Sequence, residues 1–139
     1  YLLSGTPRRS DRIPLLSKIP AGDPVLWTDG EYPAYFGEEF LDRGEISDPN
    51  AFALIVDGDS MSPRINSGDI VIISPNTPVT SRSIAAVAIK GEERTLKTVV
   101  FLPDNHVLLQ PENGSYEPLV LDMSDVTLLG RVIERREKL

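Results

Sequence analysis

Val56-Asp57-Gly58-Asp59-Ser60-Met61-Ser62-Pro63, followed by Ser67-Gly68-Asp69-Ile70-Val71-Ile72-Ile73, sets a short polar turn between two apolar, β-branched runs. The runs Phe52–Asp57 and Asp69–Ser74 read as strands, and the glycine between them lets the chain reverse tightly. A serine held in such a turn is a candidate nucleophile, and backbone amides exposed beside it can stabilise an oxyanion. Taken alone, Asp-Gly-Asp-Ser is a polar turn and no more.

Working outward, Ile84–Lys90, Arg94–Leu102, His106–Gln110 and Val126–Arg135 repeat the strand pattern, each bounded by Gly, Pro, Asn or Asp. Lys90-Gly91-Glu92-Glu93 and Pro103-Asp104-Asn105 are hairpin turn signals. Six or more short, closely spaced strands predict a mainly β protein, a compact antiparallel barrel-like fold. Upstream, Ile13 to Trp27 is interrupted by Pro14, Pro20 and Pro24, so it is expected to be extended and not helical. Thr28 to Asn50 is acidic and turn-rich, with Tyr32, Tyr35, Phe36 and Phe40 as apolar anchors and a short helix over Gly37 to Leu41. Residues 1–12 read as a linker and residues 13–139 as one domain, consistent with a chain of 139 residues that is 40% apolar.

The composition excludes several chemistries. There is no cysteine, which removes disulfides and thiolate metal sites. The single histidine, His106, builds neither a metal site nor a Ser–His pair by itself and reads as a loop or strand-edge residue. No metal or cofactor is expected. No run approaches the roughly 20 apolar residues that span a membrane, and the start has no signal-peptide layout, so a cytoplasmic location follows. With no initiator Met, the chain reads as a piece of something longer. The net charge of −7 divides unevenly, with +3 over residues 1–21 and −10 over the remainder. A body so acidic repels a phosphate backbone, which argues against the domain as a whole binding DNA.

Lys97 alters the reading of Ser60. It sits inside the apolar run Arg94-Thr95-Leu96-Lys97-Thr98-Val99-Val100-Phe101, where alternation puts Thr95, Lys97 and Val99 on one face. A lysine there either discourages edge pairing or is buried for a purpose. Neutralising an ordinary lysine at pH 7 costs about 4.6 kcal/mol, and burial can supply a lowering of roughly 3–5 pH units. Lys97 is therefore a candidate general base for Ser60, provided that Asp57 and Asp59 point away. Ala21-Gly22, in an extended proline-flanked segment, offers such a pair a substrate within its own chain, with attack favoured by tethering.

With these elements in order, the chain resembles the LexA-type family of self-cleaving repressors and their lambda-type phage and UmuD-like relatives. The resemblance covers about residues 13–139. It rests on Ile13-Pro14-Leu15-Leu16, Ala21-Gly22-Asp23-Pro24, Gly58-Asp59-Ser60-Met61, Gly68-Asp69 and Thr95-Leu96-Lys97. Further along it includes Leu109-Gln110-Pro111-Glu112-Asn113, Tyr116, Pro118 and Leu129-Gly130-Arg131-Val132-Ile133. It implies Ser60 as nucleophile, Lys97 as base and Ala21–Gly22 as the scissile bond of an autoproteolytic and dimerisation domain. It further implies a homodimer, stimulation by activated RecA filaments after DNA damage, and operator DNA bound only through an N-terminal domain outside this chain. Two departures stand out: Pro20 before the scissile alanine, and Ser81-Arg82-Ser83 where relatives usually have a Gly-Asp-type turn.

Three rival readings separate on simple features. A signal-peptidase-like enzyme shares the serine box but carries a Gly-Asp box soon after its lysine, absent from Thr98-Val99-Val100-Phe101-Leu102-Pro103. A UmuD-like polymerase accessory would be switched by the same cut. A non-catalytic dimerisation domain would leave Lys97 exposed or distant from Ser60.

Overall fold

A computed structural model describes residues 12–20, 25–26, 40–91 and 93–137. The chain runs β1 (Arg12–Pro20), β2 (Val25–Leu26), β3 (Phe40–Asp42), β4 (Phe52–Asp57), β5 (Ile70–Ser74), β6 (Ser83–Ile89), β7 (Glu93–Leu102), β8 (His106–Gln110), β9 (Leu119–Asp122) and β10 (Val126–Arg136). Among the described residues one 3-10 turn, Met123–Asp125, precedes β10 and is capped by Asp122, whose carboxylate accepts from Ser124 N and Oγ.

The strands form one mixed sheet in the order β3-β1-β4-β5-β10-β6-β7-β8-β9, with β2 added to β7. The fold is mainly β, as the strand pattern predicts. Among the described residues every pairing is antiparallel except β1 with β4, and the sheet does not close on itself. The expected helix over Gly37 to Leu41 is not what its end forms. Phe40–Asp42 is instead a strand paired with β1, because the edge of β1 offers backbone partners that outweigh local preference. Phe40 is 43% exposed, while Tyr32, Tyr35 and Phe36 lie outside the described residues.

β6 and β7 are covered on both faces. On one side Ile84, Ala86 and Leu96 join Phe52, Leu54, Val56, Met61, Val71 and Ile73. On the other, Ala85, Val87 and Val99 pack with Val107, Leu109 and Val126. This double burial explains why β6 shows an unbroken apolar run where a half-exposed strand would alternate. The turns that join the strands take φ > 0 at Lys90 and Gly91 between β6 and β7 and at Asp104 and Asn105 between β7 and β8; Gly, Asp and Asn suit that conformation, and Lys90 is the exception. His106 opens β8 opposite Leu102 and Asp122, so its place is structural. Asp122 has its carboxyl pKa lowered by the Ser124 hydrogen bonds, with a smaller contribution from the charge of His106.

β10, the last strand in sequence, lies in the middle of the sheet between β5 and β6. Its register shifts between Leu128 and Gly130 and again between Val132 and Glu134, so the strand bends as it changes neighbours. At the first shift a Cβ on Gly130 would lie 2.6 Å from Ile73 Cγ2 and 3.2 Å from both Pro75 Cα and Pro75 N. Ile73 is fully buried and has nowhere to go. Gly130→Ala is therefore expected to lower unfolding stability by about 1–3 kcal/mol, read as a lower urea midpoint at unchanged m-value.

Asp48 ties two parts of this sheet together. Its carboxylate accepts from Ser74 Oγ at 2.5 Å, Asn76 N at 2.9 Å, Asn76 Nδ2 at 2.7 Å and Asn50 N at 2.8 Å. The loop before β4 is thereby clamped to the end of β5. The buried Arg43 side chain closes the same loop by donating to Asp48 O at 2.7 Å and Ile46 O at 3.3 Å.

Candidate functional site

Ser60 follows β4 in the turn that its sequence calls for, with Gly58 at φ 106. The turn is held from several directions. Gly68 N donates to Val56 O at 2.8 Å and Gly58 N to Ser67 Oγ at 3.2 Å, closing the loop between β4 and β5. From the segment after β8, Asn113 N donates to Ser60 O at 2.9 Å and Asn113 Nδ2 to Asp59 O at 3.0 Å. The backbone of the serine is thus fixed independently of its hydroxyl. Met61 beside it is fully buried in the core, a second anchor.

Lys97 lies on β7, opposite Ala85 of β6. The structure brings its Nζ to 3.3 Å from Ser60 Oγ. Ser60 is 0% exposed and Lys97 9%, so the pair meets away from bulk water. Lys97 Nζ also donates to Thr95 Oγ1 at 3.0 Å. Thr95 is two residues earlier on the same strand face, the position from which a hydroxyl can direct the amine. Its partnership with Lys97 was not part of the sequence reading, although the alternation that puts both on one face carries the signal.

The acidic residues of the serine turn and of the segment after β8 have other partners or are exposed. Asp59 Oδ1 accepts from the Tyr116 hydroxyl at 2.7 Å, and Asp57 is exposed at the end of β4. Glu112 accepts from Thr98 Oγ1 at 3.2 Å and faces Arg64 at 3.7 Å. Asn113 and Tyr116 were legible only as elements of a resemblance. The hydrogen bonds show what they do, which is to pin the serine turn.

Ala21 and Gly22 lie outside the described residues, but the strands flanking them do not. β1 runs parallel to β4 and ends with Pro20 opposite Asp57, three residues before Ser60. β2 pairs with β7 with Val25 opposite Arg94, three residues before Lys97. The four residues between Pro20 and Val25 therefore connect the strand beside the serine turn to the strand beside the lysine. Among the described residues no group of three His, Cys, Asp or Glu side chains is placed to hold a metal ion, and no helix is long and apolar enough to cross a membrane.

This buried serine–lysine pair on a mixed β sheet is the architecture of a peptidase-type domain. Residues 14–133 match the family described as Peptidase S24-like. The chain is 35% identical over 124 residues to a LexA repressor of Oceanobacillus iheyensis, covering 86% of this chain and 56% of that protein. It is 34% identical to LexA repressors of Listeria innocua and Alkaliphilus oremlandii, over 87% and 88% of this chain and 57% and 56% of theirs. The chain belongs to the Peptidase S24-like family, a domain of the serine-peptidase kind. It spans a little over half the length of these relatives.

Proposed function

We propose that this domain cleaves its own chain between Ala21 and Gly22 and thereby inactivates a LexA-like repressor of which it is the C-terminal part. The observation that carries this reading is the buried 3.3 Å contact between Lys97 Nζ and Ser60 Oγ. It is supported by the register that puts Pro20 opposite Asp57 at the end of β4 and Val25 opposite Arg94 on the lysine strand.

As a neutral amine, Lys97 takes the Ser60 hydroxyl proton while Oγ attacks the Ala21 carbonyl carbon. The tetrahedral intermediate collapses as the proton passes to the Gly22 nitrogen, which leaves as a free amine. The Ala21 ester on Ser60 is then hydrolysed by a water that Lys97 deprotonates. Thr95 Oγ1 keeps the amine directed during both steps. Homodimerisation, stimulation by a RecA filament and operator binding through a separate domain belong to the same proposal and follow from the family likeness.

Because serine and scissile bond share one chain, the first-order rate constant is expected to stay constant over about a hundred-fold dilution. Gel densitometry of the intact chain against time measures it. A rate that falls in proportion to concentration would show cutting between molecules and contradict this mechanism.

A further inference from the structure

We propose that Tyr116 is a positioning residue for the serine–lysine pair, holding the Asp59 carboxylate turned away from the Lys97 amine so that the amine can lose its proton. The inference rests on the self-cleavage reading above and concerns how its base is kept usable. It starts from the Tyr116 hydroxyl, which donates to Asp59 Oδ1 at 2.7 Å although the two residues are 57 apart in sequence.

Asn113-Gly114-Ser115-Tyr116 is the turn that carries this hydroxyl to its acceptor. Asn113 Oδ1 accepts from Ser115 N at 2.9 Å and Asn113 O from Tyr116 N at 3.1 Å, so the turn is closed by both the side chain and the backbone of its first residue. The same asparagine donates to the carbonyls of Ser60 and Asp59. With both carbonyls held, the direction of the Asp59 side chain is the freedom left at this position, and the tyrosine removes it. Asp59 is exposed, so water would satisfy its carboxylate without help. A hydrogen bond made there, against the rotamer entropy of both side chains, sets a direction more than it adds stability.

Direction matters because Ser60, the next residue, meets Lys97 Nζ in a site shut off from bulk water. A carboxylate swung toward that site would stabilise the ammonium form and deprive the serine of its base. The other ionisable groups around β7 are placed differently. β2 and β6 contribute none. β7 itself carries the exposed Glu93 and the buried Arg94, and β1, which also meets β7, carries Arg12 and Lys18. His106 of β8 stands at the far end of β7, opposite Leu102. Glu112 is taken up by Thr98 and Arg64, and Asp57 is exposed at the end of β4. Asp59 is thus the carboxylate adjoining the nucleophile, and Tyr116 is what directs it.

The test follows self-cleavage across neutral to alkaline pH in the parent chain, Tyr116→Phe, Asp59→Asn and the double variant. Phenylalanine keeps the ring and loses only the hydroxyl. Tyr116→Phe is expected to move the rising limb of the rate profile to higher pH by about half a unit or more, so that cutting near neutrality is about three-fold slower. The rates should converge where Lys97 is fully deprotonated. Adding Asp59→Asn to Tyr116→Phe should return the profile to the parent's position, because the released side chain no longer carries a charge. A tyrosine that merely holds the turn together would give a loss that Asp59→Asn does not reverse. Such an unreversed loss, or a Tyr116→Phe profile that superimposes on the parent's, would overturn the proposal. If the parent still cuts and Ser60→Ala does not, either result leaves the self-cleavage reading standing, whereas a parent that fails to cut removes both.

Discussion

Lys97→Arg is expected to stop self-cleavage at every pH from about 7 to 10, a range over which the unsubstituted chain accelerates. A guanidinium stays protonated throughout this range and cannot accept the serine proton. The unsubstituted chain speeds up because only the neutral amine acts as a base, so the rate should rise up to tenfold per pH unit until Lys97 is fully deprotonated. Lys97→Met, which keeps an unbranched apolar stem against the sheet, should behave the same way. The loss in either variant is expected to exceed about 100-fold and to approach that of Ser60→Ala, because nucleophile and base act as one unit. Far-UV circular dichroism and a melting curve establish that each variant is folded. Cleavage by a folded Lys97→Met protein within a few-fold of the parent would remove the lysine from the mechanism.

The second large effect concerns stability. Asp48→Ala is expected to cost about 3 kcal/mol, because it withdraws the acceptor from the Ser74 hydroxyl and from both nitrogen donors of Asn76. Burial acts to raise the Asp48 pKa, but the hydrogen bonds from Ser74, Asn76 and Asn50 outweigh it, and the carboxyl lies below its ordinary 3.8. A depressed folded value means that the unfolded chain binds the proton more readily. The titratable part of the stabilisation is thus fully present above the unfolded value and is lost as the pH falls through the lower folded one. Urea midpoints of parent and Asp48→Ala should therefore lie far apart at neutral pH and approach each other in acid below 3.8. A gap that stays constant into acid would mean that the carboxylate charge contributes nothing.

Much of the fold was legible because β6, β7 and their neighbours are written as apolar runs with turn residues between them. The sequence reading of Phe52–Asp57 and His106–Gln110 coincides with β4 and β8. What was not legible is the order of the strands. Nothing local in Val126–Arg136 says that the last strand enters the middle of the sheet, or that β1 lies parallel to β4. Proline-broken extended chain such as Arg12–Pro20 carries no period from which a partner could be read. Leu119–Asp122 is a short edge strand with two exposed apolar residues and was passed over for the same reason.

At the candidate site the division is similar. Ser60 was noticeable for its glycine turn, and Lys97 because a charge interrupts an apolar run. That these two side chains meet depends on the packing of β4, β6 and β7, which the structure supplies. The clamp from Asp48 to Ser74 and Asn76 spans 26 and 28 residues of ordinary polar sequence, so no motif announces it.

The central claim is that Ser60, with Lys97 as its base, cuts the bond between Ala21 and Gly22. Intact-mass spectrometry of the purified chain after incubation at alkaline pH tests it most directly. The account predicts two new species, residues 1–21 and residues 22–139, appearing together in the parent protein and absent from Ser60→Ala. An uncut parent, a cut at another bond, or the same fragments from Ser60→Ala would contradict it.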